Sequence, residues 1–275
     1  MFKIYDLNMK ELPFPEGVKP LDIFVSSVNK RRLTEEFEGR TGTLNYGYDY
    51  GERSVDLSLW LEAHDTIDYR LIRNELYAFF DTHDVFYIEE TRVPSRVLKV
   101  TIDESYIPER INQTHSSVEI SCRTLDSVFW ETKYTTLELH DSGYSATAEK
   151  YGLVDNIDDE KVQYRFTESN FTVYNAGNVT VEPESMMLNI IVNAVQSTNN
   201  FTIRNKTTGE EIVLKRASTG SNFRIQGMVV SLGSITNIFR DTNRRFISLA
   251  PGDNQFEILN GTFEEINFEF KYLYK

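Results

Sequence analysis

One cysteine, Cys122, stands in 275 residues. An internal disulfide is therefore excluded, and any domain must be held by an ordinary hydrophobic core. No apolar run approaches the length of a membrane span, and the leading MFKIYDLNMKELPFPEG lacks the long apolar core of a signal peptide. The expectation is a chain made and folded in a cytoplasm, with no membrane. Six Asn-x-Ser/Thr matches, at Asn112, Asn170, Asn178, Asn200, Asn205 and Asn260, then read as by-products of Asn- and Thr-rich strands and turns. Cations are short as well: 29 Lys and Arg against 42 Asp and Glu leave a net charge of -13. That balance argues against a direct grip on nucleic acid, which needs clustered Lys and Arg to neutralise phosphates.

Motifs for chemistry are missing too. No G-x-S-x-G elbow, phosphate loop, dinucleotide-binding G-x-G-x-x-G or H-E-x-x-H helix occurs. The four histidines, His64, His83, His115 and His140, are scattered without metal-ligand spacing. Glu35/Glu36, Glu89/Glu90 and Glu264/Glu265 are sequence neighbours, which in strands point to opposite faces and cannot flank one bond. Asp155, Asp158, Asp159 and Glu160 lack the alternating spacing of a calcium loop and read as a solvated turn. The expectation is no catalytic residue, no metal and no cofactor, hence no enzyme.

What the chain has in plenty favours strands: 15 Tyr and 18 Phe with many Thr, Val and Ile. Residues 1–20 read as an extended segment tied by Pro13, Pro15 and Pro20, and Leu21 to Val28 as a first strand. Val55, Leu57, Leu59 and Leu61 alternate with polar residues, a half-buried strand leading into DTIDYRLIRNELYAFFD, Asp65 to Asp81. That stretch is a helix with Asp65 as N-cap, and Ile67, Leu71, Ile72, Leu76, Phe79 and Phe80 form the stripe it buries on a sheet. DVFYIEE, VLKVTIDE with Leu98, Val100 and Ile102 inward, and SSVEISCRTL with Val118, Ile120 and Cys122 inward follow as strands, closed by Phe129 and Trp130. Before them, in EGRTGTLNYGYDYGE, Tyr46, Tyr48 and Tyr50 alternate with Asn45, Gly47 and Asp49, so an extended chain sends all three rings to one face. Such a stripe is core or contact surface. Large aromatics bury readily, which favours core; the interleaved glycines suggest an exposed, pliable ribbon, on which these tyrosines would be the candidates for a subunit contact.

From Glu131 to Asn156 the period weakens and small polar residues accumulate, which places a domain boundary there: 1–138 and 139–275. The second half carries many short alternating runs, VQYRF, FTVYN, VTVEP, MLNIIVNA, NFTIRN, EIVLK, FRIQG, MVVSL, RFISLA and NQFEIL, at the spacing of a sandwich or jelly roll. Thr207, Thr208 and Gly209 mark a hairpin turn. Ile266, Phe268, Phe270, Tyr272 and Tyr274 alternate along a terminal strand expected inside a sheet.

Taken together, the GRTG turn, WLEAHDTIDYRLIRNELYAFF, SVEISCRTLDSVFWE, YNAGNVTVEPE, NNFTIRNKTTGEEIVL and RFISLAPGDNQFEI, in that order, resemble the siphophage distal tail (Dit) family over nearly the whole chain. The resemblance implies an all-β fold with one helix: an N-terminal β-sandwich plus α-helix that builds a ring, and a C-terminal galectin-like jelly-roll β-sandwich. It implies a structural virion tail-tip protein, synthesised in the host bacterial cytoplasm. Six copies would form a hub ring joining the tail-tube protein to the tail-associated fibre or lysin, with a channel through which DNA passes without specific binding. Some relatives grip receptor-binding proteins with long arms, of which the second half here shows none. The competing reading is a carbohydrate-binding module that recognises a host cell-wall polymer, with Tyr144, Tyr151, Tyr164 and Tyr174 available to stack on sugar; Trp60 and Trp130 both lie in the first half.

Overall fold

The computed structural model describes residues 1–39, 41–142 and 159–275. Two compact units emerge: Met1–Trp130 with Lys275, and Glu131–Tyr274. The first contains β1 (Phe2–Tyr5), β2 (Val18–Val25), β3 (Asn29–Glu36), β4 (Thr43–Gly51), β5 (Ser54–Glu62), α1 (Thr66–Thr82), β6 (Val85–Glu90), β7 (Arg96–Ile102), β8 (Glu109–Arg110) and β9 (His115–Thr124). Its main sheet runs β1-β6-β7-β9-β5-β2, and β3 and β4 stand apart as a two-stranded ribbon.

The β5–β9 register sets Val55 opposite Cys122, Leu57 opposite Ile120 and Leu59 opposite Val118. All six are buried, so alternation on the two strands builds a single apolar face. Each such aliphatic side chain contributes roughly 1.5–3 kcal/mol. Helix α1 covers that core. Asp65 Oδ1 accepts the N–H groups of Ile67 and Asp68 at 2.7 and 2.8 Å, and Tyr69, Ile72, Leu76 and Phe80 are buried. Ile67 and Leu71 are not in the stripe: they are 71% and 56% exposed. At about 100° per residue they lie well over a quarter turn from Leu76, too far round for a helix that buries one side on one sheet. Residues 1–20 hold more regular structure than their prolines suggest. β1 pairs with β6, from Phe2 opposite Glu90 to Tyr5 opposite Tyr87, and Phe2 and Ile4 join the core.

In the second unit the elements are β10 (Trp130–Thr132), β11 (Arg165–Phe166), β12 (Asn170–Asn175), β13 (Leu188–Ser197), β14 (Phe201–Asn205), β15 (Glu210–Leu214), β16 (Ser218–Gln226), β17 (Val229–Leu232), β18 (Gly252–Leu259), β19 (Glu265–Phe270) and β20 (Leu273–Tyr274). Two antiparallel sheets form, β11-β19-β13-β16-β17 and β12-β18-β14-β15. Rings meet across them: Phe256 and Phe268 at 4.8 Å, Phe171 and Phe268 at 5.8 Å, Phe201 and Phe223 at 6.4 Å. The fold is thus all-β with one long helix. Residues 136–142 are helical too, where the periodicity is weakest. They are set by a capping box, with Thr135 N–H donating to Glu138 Oε2 at 2.7 Å and Glu138 N–H to Thr135 Oγ1 at 3.4 Å.

VTVEP and RFISLA are not strands. They meet in one bridge, Val181 with Leu249, and buried asparagines take the place of a ladder. Asn175 Nδ2 donates to the carbonyls of Val179 and Leu249 at 3.0 and 3.2 Å, and Asn205 Nδ2 donates to that of Ser248 at 2.9 Å. Asn254 Nδ2 donates to the Ala250 carbonyl at 2.7 Å and its Oδ1 accepts the Ala250 N–H at 2.9 Å. Side-chain amides can satisfy backbone groups as a neighbouring strand would.

Candidate functional site

The β3–β4 ribbon is the part of the first unit that its own core does not explain. Every residue of β3 is exposed, and a lone two-stranded ribbon is only marginally stable in water. Leu33, Phe37, Tyr46 and Tyr48 are exposed large side chains on or beside it. Its outer strand edges offer unpaired backbone groups to another chain.

The base of the ribbon is fixed firmly. Arg53, only 6% exposed, donates from Nε to the Ser26 carbonyl at 2.8 Å and from Nη1 to the Val128 carbonyl at 3.3 Å. Burial lowers the pKa of its guanidinium from the ordinary value. Ser54 N–H donates to Ser26 Oγ at 3.1 Å, and the Tyr50 ring meets Phe129 edge-on at 5.0 Å. Sequence reasoning missed Arg53, because one arginine between two strands carries no local signal.

The three tyrosines do not share a face. Tyr50 lies opposite Lys30 and Tyr48 opposite Arg32, but the next pair is Asn45 with Thr34. Leu33 therefore stands against two residues, Tyr46 and Gly47, in a β-bulge. Gly47 carries a φ of 116°, and its N–H donates to Asn45 Oδ1 at 3.0 Å. Beyond the bulge the parity changes. Tyr48 and Tyr50 stay together, ring centroids 5.4 Å apart, with Lys30 Nζ 4.5 Å above the Tyr48 ring. Tyr46 turns to the other side, where its hydroxyl donates to Glu35 Oε2 at 2.9 Å. The phenols feel these neighbours. The hydrogen bond with Tyr50, helped by Lys30, lowers Tyr48 from its ordinary value; the same bond raises Tyr50, and the bond to Glu35 raises Tyr46. Tyr46 and Tyr48 are 59% and 43% exposed while Tyr50 is half-buried, so the ribbon presents surface and not core. It also presents Lys30, Arg31 and Arg32 in succession, a short basic run against the acidic background.

The second unit holds a groove of about 540 Å³ lined by Lys161, Arg165, Phe171, Tyr174 and Asp253 among others. Its rings are already engaged. Phe171 stacks on Phe166 at 4.4 Å and on Phe256 at 5.5 Å. Lys161 Nζ sits 5.0 Å above the Tyr174 ring and bonds both Asp253 carboxylate oxygens at 3.1 Å. Tyr164 is fully buried, its hydroxyl bonded to that of Tyr272 and, at 2.8 Å, to the Tyr174 carbonyl. Tyr144, Tyr151, Asp155 and Asp158 lie outside the described residues. Among the described residues no group of three or more His, Cys, Asp or Glu could hold a metal ion, and no helix is long and apolar enough to cross a membrane.

Residues 15–122 match the family of the phage tail protein RIFT-related domain. Over nearly its whole length the chain resembles siphophage distal tail proteins and has their fold: the crystal structure of the Dit protein (gp 19.1) of phage SPP1, described as a paradigm of the hub adsorption apparatus in phages that infect Gram-positive bacteria, aligns with a TM-score of 0.68 at 11% identity, covering 99% of this chain and 100% of that one. Chains of the phage p2 baseplate in its activated conformation, with strontium or calcium, align over 98% of this chain and 97% of theirs at 11% and 10% identity. Their TM-scores of 0.43 are too low to define a shared fold. No curated protein sequence matches the chain.

Proposed function

We propose that this chain is a structural subunit of a siphophage tail tip, six copies of which close into a hub ring. The ring joins the tail-tube protein on one side to the tail-associated fibre or lysin on the other and leaves a central channel for DNA. Its role is assembly and not catalysis. The observation that carries the reading is the ribbon: an exposed aromatic and charged hairpin, anchored by Arg53 on a phage tail domain, is what a closed ring needs for contact between neighbours. With a net charge of -13 per chain, acids lining the channel would repel passing DNA. Reversing channel-facing acids should slow ejection, and unchanged ejection would count against that lining.

The second unit serves in this reading as an outward module for further tail components, receptor-binding proteins among them. Saccharide recognition is the weaker alternative, because the described groove offers sugar rings already packed on one another or under Lys161. The native mass of the full chain, by light scattering across a concentration range with negative-stain images, tests the hub. Six-copy particles with a central hole are expected; a monomer at every concentration would sink it.

A further inference from the structure

A second surface of the first unit is chemically complementary to the ribbon. Between the end of α1, the turn into β6 and the segment after β7 lies a cleft of about 760 Å³. Tyr77 and Tyr106 wall it, ring centroids 5.5 Å apart. Asp81, Asp84, Asp103 and Glu104 line it and are exposed. Asp103 is engaged by Arg123 at 3.3 Å and Asp84 accepts from Thr101 Oγ1 at 3.3 Å. Asp81 and Glu104 have no ion-pair partner among the described residues. On the ribbon, Arg31 and Arg32 likewise make no ion pair there, although Asp49 stands opposite Arg31. No ion pair joins ribbon to cleft within the chain among those residues, so the two sets are left to meet between copies.

We infer that the cleft receives the edge of β3 from the neighbouring copy's ribbon, with Arg31 and Arg32, which point to opposite faces of that strand, reaching Asp81 at the end of α1 on one side and Glu104 after β7 on the other, an inference that rests on the ring reading. The chemistry of each side fits the other. Arg73 of the same chain already lies 5.9 Å from the Tyr77 ring, so the incoming guanidinium groups meet the cleft through its rim carboxylates, and arginine is among the side chains on which interfaces most depend. Ribbon and cleft are different patches, so their pairing is head-to-tail, the kind of contact that closes rings. Because the acids are exposed, the attraction is screened by salt and comes from several pairs acting together.

The experiment uses the full chain and the protein concentration for half-assembly, read by light scattering. Arg31→Glu with Arg32→Glu, and separately Asp81→Lys with Glu104→Lys, should each raise that concentration about ten-fold or more, and all four together should bring it back most of the way. Circular dichroism of each monomer should match the parent, since none of the four side chains has an ion-pair partner to lose among the described residues. Rings that form as readily with Asp81→Lys and Glu104→Lys overturn the docking and leave the hub standing. A four-fold variant no better than either pair also overturns the docking. Absence of any oligomer in the unaltered chain overturns the hub and the docking with it.

Discussion

Replacing Gly47 with valine isolates the energetics of the ribbon from those of the core. A Cβ at this position meets nothing within 4 Å, so the cost is one of backbone alone: at a φ of 116° a side-chain-bearing residue is strained by about 1–3 kcal/mol. The ribbon pairs only with itself and packs through its base, so it cannot share that strain with the sheet. Taking about 2 kcal/mol, the open population of the hairpin rises about thirty-fold. Amide exchange by mass spectrometry should show peptides from 29–51 exchanging faster by that order, with β5 and β9 peptides and the thermal midpoint unchanged. Assembly of the proposed ring should weaken in parallel. Ribbon exchange that stays the same would refute the bulge, and a midpoint that falls with the ribbon would refute its independence from the core.

Gly177→Ala should act on the second unit instead. Its Cβ would sit 2.5 Å from the Leu273 carbonyl oxygen and 2.7 Å from the Leu273 nitrogen, both backbone, so β20 must shift at a cost of about 1–3 kcal/mol or more, read as a lower urea midpoint. The Asp65 carboxylate is held below its ordinary value of 3.8 by the N–H groups of Asp68 and Ile67. Its contribution to α1 is therefore whole above that value and lost as pH falls through the depressed one. An acid titration by circular dichroism should show that loss in the parent chain and a flatter profile in Asp65→Asn, which keeps the acceptor without the charge. Burial pushes the Cys122 thiol up to about 12, so alkylation at neutral pH should require unfolding; a thiol that reacts in the folded chain would contradict its place in the core.

Strands that bury one face against a neighbouring strand were readable from the sequence. Val55, Leu57, Leu59 and Leu61 and their partners on β9 alternate without exception, because each strand packs on one core and nothing competes with period two. The Asp65 cap was equally legible, being a local side-chain-to-backbone device. Other features depend on what lies across the chain. Whether Ile67 and Leu71 bury depends on which arc of α1 the sheet can cover, and alternation cannot show that Tyr46 has slipped past a bulge whose partner is Leu33. VTVEP and RFISLA alternate like strands, yet asparagines distant in sequence hold them. Of the proposed contact surface, the tyrosines and their glycines were legible in the sequence; Arg53 and the acidic cleft needed three-dimensional neighbours to have meaning.

The bulge makes the ribbon sensitive to length more than to composition. Its outer half, with Tyr46 and Glu35, is turned over relative to the base because Leu33 faces two residues and not one. One residue added beside Leu33 would even the count and rotate the whole tip by half a turn. In the proposed ring, a single-codon insertion in the gene would thus exchange the face shown to a neighbour while leaving every aromatic and charged side chain in place, a short route to copies that refuse each other.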